Sequence, residues 1–350
     1  MRVLLEAAPL TLSSGGLARY TCELTLALAR CFPDDQFFLA SDQPFGMPAG
    51  APANLQRGGG PRGAAERRWW LWGLGREARR LRADLVHGPD FAVPYLPQKP
   101  SVLTLHDLSP WLDPSWHHDA HRVRRRTPVL LKLGIATMVI TPSETVREQA
   151  IERFRIDPER IVAVPEAAAP GLKPVETMPG RPYFLFVGTF EPRKNLPALV
   201  EAWRAVRRDC EIDLVLAGRR RADAPDLREE PGLRIAGEVP DAQLAELYSG
   251  ALAFVYPSLY EGFGLPVLEA MQCGACVIAS HATNEAGGDA AEYADTPADL
   301  AAAMRQAVMH PEWTAERRAR SLARAREFSW ENSARQTYQV YKEAQRRFER

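Results

Sequence analysis

A two-domain α/β protein, each domain a parallel sheet with helices on both faces, is predicted by three observations. Short β-rich runs alternate with helical patterns, the alternation restarts after a proline-rich interruption, and 350 residues exceed one ordinary domain. In the first series "RVLLEA", "FFLAS", "LVHG", "SVLTL", "MVIT" and "IVAV" stop at Gly, Pro or polar loops, with "LARYTCELTLALARCF" and "SETVREQAIERF" as helical patterns between them. Residues 166–182 are rich in Pro and small residues, lack periodicity and are expected to form a linker. The second series is "YFLFV", a helix through 207, "DLVLAG", "LRIAG", "DAQLAELYSG", "LAFVYP", "LPVLEAMQ" and "CVIAS". The divisions are then 1–165, the linker 166–182, 183–328 and a terminal helix 329–350. Two Rossmann-like halves bind ligands at the carboxyl ends of their strands and leave a cleft between them.

Composition narrows the function class. Apolar residues make up 46% and charged residues 25%, as in soluble globular proteins, and a net charge of zero argues against bulk nucleic-acid affinity. Cys22, Cys31, Cys210, Cys273 and Cys276 are an odd, scattered set, which favours free thiols in a reducing, cytoplasmic compartment. "CGAC" has no second pair for zinc and opens an apolar run, so buried cysteines at a strand start are expected. The longest hydrophobic stretch, "TPVLLKLGIATMVITPS", holds Lys132 and Pro128 and is too short to span a bilayer.

The chemistry concentrates in two loops of the second series. "PSLYEGFGLPVLEAM" leaves a strand and enters a helix with Pro266 near its start, where a missing N–H costs nothing. Gly262 and Gly264 allow close backbone approach, and amides at the helix start, with Phe263 and Leu265 beside them, suit a diphosphate. Glu261 and Glu269 stand eight positions apart, and a carboxylate accepts hydrogen bonds from adjacent hydroxyls of a ribose or hexose. The other loop, "TFEPRKNLPALVEAW", places Glu191, Arg193 and Lys194 where a strand hands over to a helix. It is either a phosphate grip or a solvated loop whose Asn195 caps the helix.

"LYEGFGLPVLEAMQCGACVIAS" together with "VGTFEPRKNLPALVEAW" resembles the retaining nucleotide-sugar glycosyltransferases of glycosyltransferase family 4. "SSGGLARYTCELTLAL", "LVHGPD", "VLTLHDLSPW", "VITPSETVREQAI", "DPERIVAVPE" and "FSWENSARQTYQVYKEA" extend the likeness along nearly the whole chain. The resemblance implies a GT-B fold of two facing Rossmann-like domains, an acceptor domain first and a donor domain second, with the terminal helix crossing back to the first. It implies that Arg193 and Lys194 neutralise the donor diphosphate, that Glu269 holds the nucleotide ribose, and that Glu261 and His106 contact the transferred sugar. Gly15 and Gly16 are placed near donor phosphate or acceptor. No Asp-x-Asp pair stands at a strand end and no carboxylate offers itself as nucleophile, so a metal-independent, front-face retaining transfer without a cofactor is expected. "GTFEPRKNL" looks like members that use GDP-mannose, and the acceptor is expected to be a glycan or lipid-linked oligosaccharide. The chain departs from the family at "VPEAAAP", where Glu166 and Ala167 replace Asn-Gly, and at "SHATNEAGG", which lacks Leu-Pro before Glu285.

Three features stay open at this level. Residues 57–82 hold eight Arg against two Glu, with Trp69, Trp70 and Trp72, and fit either a basic helix on an anionic bilayer or a core edge with a solvated face. "HRVRRRTPVLLK" adds a second basic patch, and His117, His118 and His121 form no ordered metal constellation and are assigned to the surface or the acceptor side. Asp107 either faces the site or caps the next helix. A sugar-nucleotide epimerase or a non-catalytic sugar-nucleotide binder would share the motifs. A nicotinamide-dependent oxidoreductase would need a G-x-G-x-x-G after the first strand, which is absent.

Overall fold

Apolar runs without alternation, such as "VLL" and "FFLA", are the pattern of strands covered on both faces. The computed structural model describes residues 1–12, 15–117, 120–178 and 180–349. It contains two compact units, Met1–Glu166 with Ser329–Arg350, and Ala167–Phe328. The first holds β1 (Arg2–Glu6), β2 (Gln36–Ala40), β3 (Leu55–Arg57), β4 (Leu85–Gly88), β5 (Ser101–Thr104), β6 (Met138–Thr141) and β7 (Ile161–Ala163). These form a parallel seven-stranded sheet in the order β3-β2-β1-β4-β5-β6-β7. The second holds β8 (Tyr183–Val187), β9 (Asp213–Ala217), β10 (Leu233–Gly237), β11 (Ala253–Tyr256), β12 (Val277–Ala279) and β13 (Glu292–Tyr293), parallel in the order β10-β9-β8-β11-β12-β13. In each sheet the order reverses between the first and fourth strands of its series. Loops leaving those two strands therefore diverge to opposite faces and open a crevice at their carboxyl ends.

Local chemistry explains the helices. Helix Glu144–Phe154 starts at Ser143, whose hydroxyl accepts from the Val146 amide, and stops at Arg155 in the left-handed region. Helix Gly16–Cys31 buries Tyr20, Leu24 and Leu28, spaced four apart on one face. Helix Trp330–Phe348 starts at the Ser329 cap and packs along Gly16–Cys31. It adds a Phe32–Tyr338 stack at 3.7 Å and a Tyr341 hydroxyl 2.7 Å from His87 Nδ1. In the second unit Trp203, on helix Leu196–Arg207, is buried and donates to the Ile212 carbonyl. Truncating such an aromatic to alanine costs about 3–5 kcal/mol.

Among its described residues the proline-rich segment after residue 165 carries no helix or strand, yet Ala168, Ala169 and Leu172 are buried in the second core. Gln272 Nε2 clamps it by donating to the Ala169 carbonyl at 2.7 Å and to the Leu172 carbonyl at 2.5 Å. Small residues there serve close packing. Cys273 and Cys276 are buried, and burial pushes both thiols up to about 12.

Residues 57–82 are not one amphipathic helix. They pass through β3, a 3-10 turn Ala64–Arg67, a wide π turn Trp69–Gly73 and helix Leu74–Arg80. Trp69 is buried against Leu4, Phe38 and Leu74, while Trp72 is exposed. Glu66 and Glu77 both pair with Arg80. The long apolar stretch is likewise divided, between helix His121–Lys132 and β6. Among the described residues no helix is long and apolar enough to cross a membrane.

Gly218 seats the candidate site. Its φ is +138°, and a Cβ there would lie 2.0 Å from the Gly188 carbonyl oxygen. Gly188 follows β8 and Gly218 follows β9, so the strand exits touch backbone to backbone. Gly218→Ala is expected to destabilise the protein by about 2 kcal/mol or more. An unchanged denaturant midpoint would contradict this account.

Candidate active site

The loops leaving β8 and β11, the two strands flanking the reversal of order in the second sheet, meet side chain to side chain. After β8 the chain makes one 3-10 turn, Pro192–Lys194, which puts Arg193 and Lys194 on consecutive positions and buries both. Asn195 follows at φ 53°, the N-cap position of helix Leu196–Arg207, with no side-chain cap hydrogen bond. The capping role considered for Asn195 is therefore not filled by its amide. The left-handed turn instead aims the two preceding cations back over the strand ends.

From β11 come Tyr256, Ser258, Tyr260 and Glu261. Lys194 Nζ lies 2.5 Å from Glu261 Oε1 and 2.7 Å from the Tyr256 hydroxyl. Arg193 Nη1 lies 3.1 Å from Glu261 Oε2 and donates to the Tyr260 carbonyl at 2.6 Å. The Ser258 hydroxyl donates to Glu261 Oε1 at 2.5 Å. On its other side Arg193 Nη2 pairs with Glu191 Oε1 at 2.8 Å, and Arg221 pairs with Glu191 Oε2 and, at 2.6 Å, with Asp223. The sequence motifs did not single out Tyr256, Ser258 or Arg221. Tyr256 carried one signal, as the last residue of an apolar strand run at the carboxyl end. Arg221 carried none.

The electrostatics follow from burial. Burial alone would raise the Glu261 carboxyl, but Arg193 and Lys194, helped by hydrogen bonds from Lys194 and Ser258, hold it down at about 2. Burial and then the Arg193 charge draw the Lys194 ammonium below its usual value, against Glu261 and Glu191. Burial also lifts the Tyr256 phenol well above its usual value, so it stays protonated. A carboxylate has about four lone-pair sites. Glu261 receives Lys194, Ser258 and Arg193 as donors, and the Tyr256 phenol lies within hydrogen-bond reach of it.

Glu269 is not part of this cluster. It is buried in the fifth position of helix Leu265–Gln272, and Tyr248 donates to it at 3.1 Å. Gly262 stands next to Glu261 in the loop. Gly264 begins the helix at φ +109°, with Thr283 side-chain atoms 3.0 Å from where a Cβ would stand, so both conformation and packing require glycine. Leu265 is buried. The Phe263 side chain is buried too, edge-on to Phe328 at 5.6 Å, so the core holds its ring.

The remaining candidates lie in the first unit. His106, two residues beyond β5, has Nε2 2.7 Å from the Pro89 carbonyl and Nδ1 3.4 Å from Glu166 Oε1. Asp107 accepts from the Ser109 amide and hydroxyl, so it holds the start of the short helix Ser109–Leu112. Gly15 takes φ +108° as the N-cap of helix Gly16–Cys31, and open space surrounds its Cβ position. His117 binds Ser109, His121 is exposed, and His118 lies outside the described residues. Among the described residues no cluster of three or more His, Cys, Asp or Glu could hold a metal ion.

The ionised Glu261 stabilises the fold above its unfolded value near 4.5, and that stabilisation is lost as pH falls toward its folded value of about 2. In acid titrations followed by circular dichroism, wild type is expected to lose stability more steeply below pH 4.5 than Glu261→Gln does. Parallel curves would remove the buried pair from the account.

The model of "Glycosyltransferase Family 4" matches residues 14–172, and that of "Glycosyl transferases group 1" matches residues 181–310. The O-antigen chain mannosyltransferase B of Escherichia coli is 36% identical over 290 residues, covering 75% of either chain. The serotype-specific mannosyltransferase WbdA of Escherichia coli is 28% identical over 263 residues, which span 67% of this chain and 32% of WbdA. Among solved structures, sucrose-phosphate synthase from Thermosynechococcus elongatus superposes with a TM-score of 0.77 at 21% identity, over 98% of each chain. Anabaena HepE, solved with UDP and glucose, gives a TM-score of 0.73 at 15% identity, over 97% of this chain and 99% of its own. The fold is GT-B, built from two Rossmann-like domains, as the sequence predicts. The chain belongs to the group 1 glycosyltransferases of glycosyltransferase family 4 and is an enzyme of that class.

Proposed function

We propose that the protein is a retaining, metal-independent hexosyltransferase that moves mannose from GDP-mannose to a glycan or lipid-linked oligosaccharide during cell-surface polysaccharide synthesis. The observation that carries this reading is the convergence of Lys194 and Arg193 on Glu261 at the switch point of the second sheet. A departing nucleoside diphosphate gathers negative charge as the bond to the sugar lengthens, and two fixed, buried cations stabilise that charge most where water is excluded. They do the work that a divalent ion would otherwise do. Glu269 holds the ribose, Glu261 contacts a sugar hydroxyl, and backbone groups of Gly262, Gly264 and Leu265 border the phosphates. In the first domain His106 binds a sugar hydroxyl, and Gly15 and Gly16 bring backbone amides to a ligand.

The low basicity of Glu261 supports a front-face course. A carboxyl held at about 2 by two cations is a poor nucleophile and a poor base. The C1–oxygen bond to the diphosphate breaks, the acceptor oxygen bonds to C1 on the same face, and the acceptor proton passes to the leaving phosphate. Mannose is favoured by the relatives named mannosyltransferases, and GDP by the likeness of "GTFEPRKNL". A lipid-linked acceptor would place the enzyme at the cytoplasmic face of the membrane. Four exposed apolar side chains, Trp72, Leu96, Val129 and Leu133, favour that reading, and Arg126 stacks on Trp70 at 5.3 Å.

Lys194→Ala is expected to lower kcat for GDP-mannose by about 10²–10³-fold, read as released GDP. EDTA should leave wild-type turnover unchanged. A metal requirement, or turnover with no released nucleotide, would refute the transfer as drawn. In thermal shift, GDP at about 100 times its Kd should add about 2.7 kcal/mol of stability, with UDP and dTDP adding little. Selective stabilisation by UDP would reassign the base. Vesicles containing anionic lipid should float the protein at low salt, and absence of flotation would confine the proposal to a soluble enzyme.

A further inference from the structure

We infer that Glu166 is a positioning residue that keeps the His106 imidazole doubly protonated and fixes the ring edge it presents to substrate. The inference rests on the proposed role of His106 and adds a residue that the family motif does not supply, because the chain carries Glu-Ala here in place of Asn-Gly. Tautomer logic carries it. The Pro89 oxygen 2.7 Å from His106 Nε2 is a carbonyl and can only accept, so Nε2 bears a hydrogen. In a neutral ring Nδ1 would then be a bare lone pair, 3.4 Å from the Glu166 carboxylate. Protonating Nδ1 turns a repulsion into a charge-assisted contact.

The surroundings hold this arrangement. Glu166 is buried and follows β7, so it cannot swing away into solvent. The Tyr20 ring meets the imidazole at 4.7 Å with an interplanar angle of 89°, which fixes the ring plane. Tyr20 is tied through Thr104 to His87, and His87 to Tyr341, at 3.0, 2.8 and 2.7 Å. The titratable groups facing His106 are Glu166, Asp90, His87 and Tyr20. Burial lowers the His106 value, but Glu166 and Asp90 outweigh it and the net direction is up. Burial, with the nearby His106, holds His87 down at about 3, so it stays neutral. With Nε2 anchored, the Nδ1–H is the donor with slack, since 3.4 Å exceeds a normal N–H···O distance. A sugar hydroxyl can share that hydrogen without displacing the Pro89 contact.

The test uses the full chain labelled with 15N-histidine, the His106 resonances being assigned through a His106→Asn variant. Wild type should show both His106 nitrogens protonated at pH 7. Glu166→Gln should lower the titration midpoint by at least about one pH unit. With GDP-mannose and acceptor, Glu166→Gln should lose about tenfold in kcat at pH 8, with donor KM changed less than twofold, and regain activity toward pH 6. Glu166→Asp should restore most of the loss. A neutral Nε2–H tautomer in wild type at pH 7, or an unshifted midpoint in a folded Glu166→Gln, would overturn the inference. If Glu166→Gln fails to fold, the wild-type nitrogen shifts and Glu166→Asp decide. Failure of the donor assignment would appear as absent turnover with the titration intact, so the two failures are separable.

Discussion

The contact between Glu261 and the cations of Lys194 and Arg193 is the constraint around which the second domain is arranged. Withdrawing a charged group from water costs several kcal/mol, which only close opposite charges and complete hydrogen bonding can offset. The neighbouring residues meet that demand. Ser258 and Tyr256 supply hydroxyls, the Tyr260 carbonyl takes an Arg193 N–H, and Glu191 faces the other edge of the guanidinium. Even the backbone conforms, since the left-handed Asn195 and the Gly188–Gly218 contact shape the exit of the β8 loop. Under the proposed mechanism, stability and catalysis therefore draw on the same side chains.

The same network poises the site for the proposed reaction. Lys194, Arg193 and Arg221 face Glu261, Glu191 and Asp223, so each cation has a carboxylate partner. A diphosphate entering beside them competes with carboxylates for the same N–H groups.

Much of this was legible in the sequence because parallel strands and their exits leave strong local marks. Among the described residues eleven of the thirteen strands coincide with apolar runs, and the two strand-exit motifs pointed to Arg193, Lys194 and Glu261, which the fold brings together. The strands without a signal, β3 and β13, are short edge strands with one buried residue between them, Leu55. Pairing with a neighbour makes them strands, and no periodicity announces that. Trp69 and Trp72 look alike in the sequence, but a π turn sends one into the core and leaves the other exposed. Arg221 was invisible because it joins the site through a contact to Glu191, thirty positions away in the chain.

Each sheet repeats one device at its strand exits. In the second domain a buried carboxylate, Glu261, fixes the charge of Lys194; in the first, Glu166 faces His106 in the same relation. The difference lies in the base. An ammonium stays charged under ordinary conditions even when its value is drawn down, whereas an imidazole titrates near neutrality and depends on its partner for its charge. A domain that relies on a histidine therefore needs the carboxylate more than one that relies on a lysine. That asymmetry gives a physical reason for a glutamate to stand at 166, where it departs from the family pattern.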